Sequence, residues 1–557
     1  MFDISPLQKL RSQYTPKIPV ALNGAWRLCT ADVPTPDAEA KAIAMMFPHT
    51  SGMPRVYLRN SETETSRQEK PLNVGILLSG GQAPGGHNVI SGLFDGLKSL
   101  HPDSRLYGFL MGPDGLINHK YIELTEALIA PYRNAGGFDM IGSGRTKLEK
   151  KEQFDAALLI LKHLDISALV IVGGDDSNTN AAILAEYYRS IKAGVQIIGC
   201  PKTIDGDLKG REIECSFGFD TATKLYAELI GNVQRDCVSA KKYWHFIKLM
   251  GRTASHITLE CALKCQPNIA IISEDVKAKD WRIADLVEYI AEVIAKRAER
   301  GLMYGIALIP EGILEFLPSF RRLIDELNDY LSRPESDHIK RLARLERTAF
   351  VAEHLKPENA SLLLSLPQYV ALQLLEDRDP HGNVQVSKIE TEVLLVELVK
   401  ERLSQMAAAG RYQGKFAALT HFFGYEGRCS FPSNFDADYC YSLGRTAVAL
   451  ISEGLTGYMA TVSNTTHPAD HCVAGGVPFT RLMHLERRAG LAKPVIRKSL
   501  VDLQGAPFAY FAEHRSRWES EDCYVYPGPL AFYGPREICD EPTLTLRLEI
   551  DGTPFFE

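Results

Sequence analysis

The eleven cysteines of this 557-residue chain include no CxxC pair, and Cys29, Cys200, Cys261 and Cys265 follow no metal-ligand spacing. That argues against a zinc module or a small disulfide framework and for buried, reduced thiols. Positive charge is not in excess either: 62 Lys+Arg stand against 69 Asp+Glu, a formal charge of −7. No whole-chain field therefore draws nucleic acid or an anionic membrane, and any anion must be held by a local site. No apolar run approaches the roughly 18 residues that span a bilayer, and the start, MFDISPLQKLRSQYTP, has no apolar signal core, so a cytoplasmic protein is expected. No internal repeat occurs at the common solenoid periods. What is present is ordinary globular composition, 45% hydrophobic and 24% charged, which excludes a mainly disordered or fibrous chain. The length predicts roughly two to four domains.

The first 70 residues are mixed, and SETETSRQEK (61–70) reads as a polar linker. From Asn73 onward short, β-branched apolar runs recur: VGILLS (74–79), RLYGFLM (105–111), ALVIVGG (168–174), VQIIGC (195–200), FIKLM (246–250), IAIIS (269–273), GIALIP (305–310) and YMATVSN (458–464). They read as buried strands. Helical patterns alternate with them, at 151–164, 178–191 and 284–300, so the fold class is α/β, with parallel-rich sheets built from βαβ units. From about Phe316 to Gly410 strands cease and three charged helical patterns follow, which predicts a helical insertion with solvated faces. In parallel sheets ligands bind beyond the carboxyl ends of strands, so the residues after each apolar run are where chemistry is expected.

The first strand runs into SGGQAPGGHNVI (79–90), where Gly80, Gly81, Gly85 and Gly86 permit close backbone approach before a helix whose N-terminus can face an anion. The turn matches neither GxxxxGK[ST] nor GxGxxG. IGSGRTK (141–147) offers Arg145, a bidentate phosphate partner or a surface ion-pair partner. VGGDDSN (172–178) brings two adjacent carboxylates, Asp175 and Asp176, off a buried strand. They suit Mg2+ bridging phosphates, and the plainer alternative is a helix cap by Asp176 or Ser177. PKTIDGDL (201–208) adds Lys202, Thr203, Ile204, Asp205 and Asp207. If the segment is extended, the two carboxylates share a face and one could be set apart as a base; if it is a reverse turn, both are merely solvated.

Taken in order, SGGQAPGGHNVI, GGDDS, PKTIDGD, MGR, PEG and GYEGR resemble the phosphofructokinase family, and within it the long class of pyrophosphate-dependent enzymes, from about Asn73 to about Asn464. The resemblance implies two Rossmann-like three-layer domains and a Mg2+-dependent, reversible phosphoryl transfer from pyrophosphate to the 1-hydroxyl of fructose 6-phosphate, usable in glycolysis. It implies Gly80 and Arg145 as donor-binding residues, Asp175 as metal ligand and Asp205 as the base. Thr203, Ile204, Asp205, Met250, Gly251, Arg252, Glu311, Tyr425, Glu426, Gly427 and Arg428 would bind the sugar phosphate, with Arg252 also catalytic, and Lys242 and Tyr243 would reach it from the neighbour in a homodimer. Outside that order Met250 would read as core, Tyr425 as packing and Arg428 as a surface charge. His87, His245 and His421 lack metal-ligand spacing and are read as structural.

The chain departs from the ATP-dependent members at Asp176, where they carry glycine and where the resemblance places the α-phosphate of ATP, and at Lys202, where a small residue is common. Both favour pyrophosphate. The alternatives are an ATP-dependent phosphofructokinase, a noncatalytic subunit of the same fold, against which intact Asp205, Asp207, Arg252 and Glu311 argue, and a GGD-containing kinase of NAD or lipid, which lacks the joint motif set. The expected organisation is an arm and linker (1–70), a donor domain (71–210) completed by later segments, a fructose 6-phosphate domain (211–315 and 411–480), the helical insertion (316–410) and a C-terminal segment (481–557).

Overall fold

The computed structural model describes residues 4–31, 35–61, 70–332, 339, 341–376, 384, 388–488 and 491–554; most of the polar stretch read as a linker, 62–69, lies outside them. The chain forms two compact units: Met1–Ala222 with Tyr425–Ser499 and Leu530–Glu557, and Thr223–Gly424 with Leu500–Pro529.

The first unit is organised by a ten-stranded sheet whose centre is parallel. Its chemistry-bearing strands are β1 (Asn73–Leu78), β2 (Ala168–Gly173) and β3 (Gln196–Thr203), side by side in the order β3, β2, β1. Val74, Ile76, Leu77, Val170, Val172, Ile197 and Ile198 are all fully buried. A strand covered on both faces is what such continuous apolar runs specify. Two helices return from the sheet, α1 (Gly86–Leu100) after β1 and α2 (Asp175–Ser190) after β2.

The sheet also recruits strands distant in sequence. Tyr458–Ser463 pairs in parallel with β3, and Val473–Pro478 runs antiparallel beside it. Residues 425–499, in part grouped by motif order with the second domain, thus cluster with the first unit. Trp26–Thr30 and Val56–Asn60, within the segment read as an arm, extend the same sheet at one edge. Earlier in the same segment Arg11 is buried, its guanidinium donating to Asn434 Oδ1 at 2.7 Å and to the Pro432 carbonyl at 2.8 Å.

The second unit holds a four-stranded parallel sheet, with β4 (Trp244–Leu249) between β5 (Gly305–Pro310) and β6 (Ala418–Phe423) and the short strand Ile269–Ala270 outside β5. The segment expected as an insertion forms helices including Pro318–Leu331 and Thr391–Ala408. Leu323, Leu327, Leu394 and Leu395 share one apolar core with Phe246, Ala307 and Ile309 of the sheet. Their charged faces point outward, as the alternating charge requires. Among the described residues no helix is long and apolar enough to cross a membrane.

Candidate active site

Because β1, β2 and β3 are parallel and adjacent, the turns after them emerge at one edge of the sheet. That register brings Gly80 and Gly81, Asp175 and Asp176, and Lys202 to Asp207 together from three stretches of sequence. The turns are tied to one another: Gly80 N–H donates to the Gly144 carbonyl at 2.9 Å, and Ser177 Oγ donates to Ser79 Oγ at 2.8 Å. Gly80 has φ +87°, and a Cβ placed there would stand 3.3 Å from Lys202 Nζ. A side chain at this point would meet both backbone strain and the lysine head.

Lys202 is buried, and three cations crowd the glycine turn. Burial lowers the Lys202 ammonium, Arg428 and Arg145 lower it further, and Asp205 and Asp175 oppose them without prevailing; the group falls to about 8. Arg428 lies over the turn, its Cζ 3.5 Å from where a Gly81 Cβ would be, and stacks 4.8 Å above the Tyr425 ring. Its Nε is buried with no hydrogen-bond partner among the described residues. Like charges held together in this way are stabilised by an anion. Arg145, expected at the donor, and Arg428, expected at the sugar phosphate, thus act on the same lysine.

The carboxylates collect on the β2 side. Gly174 is the N-cap of α2 and no side chain caps the helix, so the capping alternative for Asp176 or Ser177 is not what forms. Asp175 and Asp176 occupy the first helical turn, where the helix dipole favours negative charge. Burial raises the Asp175 carboxyl above its ordinary value, and Asp176 and Asp207 add to this, outweighing the opposing Lys498. A buried carboxylate with further carboxylates beside it suits a divalent cation. Among the described residues no group of three or more His, Cys, Asp or Glu is arranged to hold a metal, so Asp175 would share the ion with donor oxygens and water, the usual way Mg2+ is held.

Of the two readings of PKTIDGDL, the chain path selects the turn, though not its solvated carboxylates. β3 ends at Thr203, and Ile204 to Gly206 turn instead of continuing extended. Gly206 takes φ +71°, and the Asp205 N–H donates to Thr203 Oγ1 at 3.0 Å. Asp205 and Asp207 therefore do not share a strand face: Asp205 is half-buried at the turn, whereas Asp207 and Ile204 are buried.

In the second unit, Met250 to Arg252 and Glu311 follow neighbouring parallel strands whose ends are in register, Leu249 opposite Pro310, so they emerge at the same edge. The Glu311 N–H donates to the Leu249 carbonyl at 3.0 Å, and the Met250 N–H to Phe423 at 3.2 Å. Met250, Gly251 and Glu311 are buried and Arg252 half-buried. Lys242 and Tyr243 precede β4, at its opposite end, with the ammonium 5.2 Å above the Tyr243 ring. His245 and His421 face each other at 2.9 Å on β4 and β6, and burial lowers both. The short helix Tyr425–Arg428 leaves Tyr425 and Glu426 exposed and Gly427 buried.

The motif reading missed Lys498. Its Nζ is 3.2 Å from Asp175 Oδ2, delivered from the end of a C-terminal hairpin, and IRKSL carries no motif that would have flagged it.

Residues 73–359, more than half of the chain, match the family model described as phosphofructokinase. The chain belongs to the phosphofructokinase family. Within this family it is 58% identical over 98% of its length to "Pyrophosphate--fructose 6-phosphate 1-phosphotransferase" of Porphyromonas gingivalis, covering 99% of that protein. It is 51% identical to the protein of the same name from Treponema pallidum (strain Nichols), over 98% of this chain and 97% of the relative. The phosphofructokinase fold is matched by the crystal structure of a pyrophosphate-dependent phosphofructokinase from Marinobacter aquaeolei, with a TM-score of 0.51 at 16% identity, over 81% of this chain and 93% of that one.

The Lys202 environment predicts a proton signature. With its folded value near 8, the lysine is partly deprotonated at pH 8 to 9, and an arriving anion raises it. Once the protons that pyrophosphate itself exchanges over this range are subtracted, its binding at pH 8 to 9 should take up protons; below about pH 7 this uptake should vanish. Calorimetry in buffers of different ionisation enthalpy measures this, and uptake that is equal at pH 6.5 and 8.5 would contradict it.

Proposed function

We propose that this phosphofructokinase transfers a phosphoryl group from pyrophosphate to the 1-hydroxyl of fructose 6-phosphate, giving fructose 1,6-bisphosphate and phosphate, reversibly and with Mg2+. The observation that carries the reading is the cation cluster of Lys202, Arg428 and Arg145 at the Gly80 turn, opposite the Asp175 and Asp176 pair. The names of the relatives support it.

In this reading the backbone at Gly80, with Arg145 and Lys202, holds the diphosphate. Asp205 accepts the hydroxyl proton as the sugar oxygen forms its bond to phosphorus and the bridging P–O bond breaks, and Lys202 stabilises the charge that grows on the leaving phosphate. Thr203, Ile204 and the 425–428 turn would orient the sugar phosphate, and Arg252, Glu311, Met250 and Gly251, at neighbouring strand ends of the second unit, carry the same assignment by resemblance. Ile204 and Met250, being buried, would do so through backbone. Mg2+ held at Asp175 would neutralise donor oxygens. A loose phosphoryl transition state needs mostly positioning and charge neutralisation, which is what this set supplies. Purified protein should phosphorylate fructose 6-phosphate with pyrophosphate and not measurably with ATP; activity with ATP alone would overturn the reading.

The same reading includes a homodimer, and strand geometry supports it. Lys242 and Tyr243 stand at one end of β4 and Met250 to Arg252 at the other, about 20 Å apart at ordinary strand rise. One subunit cannot bring both groups to a single sugar phosphate, so Lys242 and Tyr243 would serve the neighbour's site. Specific activity should fall as the protein is diluted through its dimer dissociation range, as monitored by light scattering. A stable monomer with full activity would exclude the sharing.

A further inference from the structure

Lys498 enters the carboxylate side of the site from a segment more than 280 residues beyond β3 in the chain, and its placement is built rather than incidental. The Ile496 N–H donates to Thr179 Oγ1 of α2 at 2.9 Å, and the Ile496 side chain is buried. Arg497 pairs with Glu39 at 3.0 Å, and the Ser499 N–H donates to the Asp207 carbonyl at 2.6 Å. Backbone hydrogen bonds on both sides of Lys498 thus fix its Cα, so the freedom left to the ammonium is that of its own side chain. Its ammonium stands 3.2 Å from the carboxylate that the phosphotransferase reading gives to the metal.

Resting on that reading, we infer that Lys498 is the resident counter-charge of Asp175: it competes with the divalent cation in the donor-free protein, so that the cation enters together with the diphosphate. A divalent ion approaching Asp175 alone meets an ammonium at contact range, and two such charges about 5 Å apart repel enough to weaken binding by roughly tenfold even in water. Pyrophosphate brings several negative charges, which offset the ion and the ammonium at once. The flexible lysine stem lets the head leave Asp175 for a donor oxygen without moving its anchored backbone. Lys498 is thus a positioning residue: it keeps Asp175 neutralised between turnovers and makes the metal–diphosphate complex the species that binds.

The test uses Mn2+ as the probe, counting free ion by electron paramagnetic resonance in titrations of the full chain, with and without pyrophosphate. Wild type is compared with Lys498→Met, Lys498→Gln and Lys498→Arg, each first checked for an unchanged circular dichroism spectrum. Without pyrophosphate, the two neutral variants should bind Mn2+ roughly tenfold or more tightly than wild type, while Lys498→Arg, which keeps the charge, stays near wild type. With pyrophosphate the difference should shrink to within about threefold. Should both neutral variants bind Mn2+ no better than wild type, or Lys498→Arg shift as far as they do, the inference is overturned. If the methionine variant does not fold, the glutamine variant, closer in polarity, decides. Failure of wild type to use pyrophosphate would sink the phosphotransferase reading instead, and that outcome is distinct because the donor-free Mn2+ comparison does not depend on turnover.

Discussion

Asp205→Asn should leave the protein folded and lower turnover by roughly 10² to 10⁴, the scale of removing a general base. The amide is nearly isosteric, and the Asp205 backbone N–H that closes the turn onto Thr203 Oγ1 is untouched by the change. What is lost is the capacity to accept the hydroxyl proton. The loss should fall on kcat, with the KM for fructose 6-phosphate changed little, because proton transfer belongs to the transition state. It should also be equal in both directions. A catalyst cannot move the equilibrium, so the group that takes the proton in the forward reaction returns it to the leaving oxygen in reverse. Steady-state kinetics in both directions, with circular dichroism as the folding control, checks this. Near-normal turnover, or a loss confined to one direction, would remove Asp205 from the role.

The second large effect concerns donor choice. Asp176 is an exposed carboxylate in the first turn of α2, beside Asp175. If the family arrangement holds, it stands where a nucleotide would put its α-phosphate. Two like charges about 4 Å apart repel by roughly 4 kcal/mol at an effective dielectric of 20 and about 1 kcal/mol in water. Exposure places Asp176 between these limits, a penalty of roughly fivefold to several hundredfold against ATP. Asp176→Gly should therefore raise kcat/KM for ATP within that range. Lys202→Gly should lower pyrophosphate turnover by roughly 10² to 10³, the usual consequence of deleting a donor aimed at developing negative charge. Because Lys202 also sits among Arg428 and Arg145, its removal relieves their crowding while leaving a void beneath the glycine turn, so a melting curve must accompany the kinetics. The double variant should favour ATP further than either single one. An unchanged donor ratio in folded Asp176→Gly would refute the role given to this carboxylate.

How much was legible beforehand depends on where the information lay. The strands at 73–78, 168–173, 196–203 and 305–310 were readable because a strand buried on both faces needs an unbroken apolar run. The convergence of Gly80, Asp175 and Lys202 followed from one rule about parallel strand ends, and the family was readable in six ordered motifs. The turn at 204–206 was not, since PKTIDGD reads equally as strand or turn, and the positive φ of Gly206 shows only in the backbone. The early strands Trp26–Thr30 and Val56–Asn60 were hidden in mixed composition, because edge strands tolerate polar residues. Lys498 was invisible for a different reason: a lone lysine in IRKSL has no local signature, and its meaning depends entirely on the hairpin that delivers it to Asp175.

The pairing of β3 with Tyr458–Ser463 sets a timetable for synthesis. β3 leaves the ribosome long before its partner, and at about 5 to 20 residues per second the interval lasts on the order of 10 to 50 s. During that interval a largely buried strand of the sheet has an open edge, the kind of template on which nascent chains aggregate. Arg428 and Lys498 arrive in the same late stretch. A nascent chain therefore carries Gly80, Asp175 and Asp205 for most of its elongation without the cations that complete their surroundings. Capacity to handle pyrophosphate is acquired only once these late residues have been made.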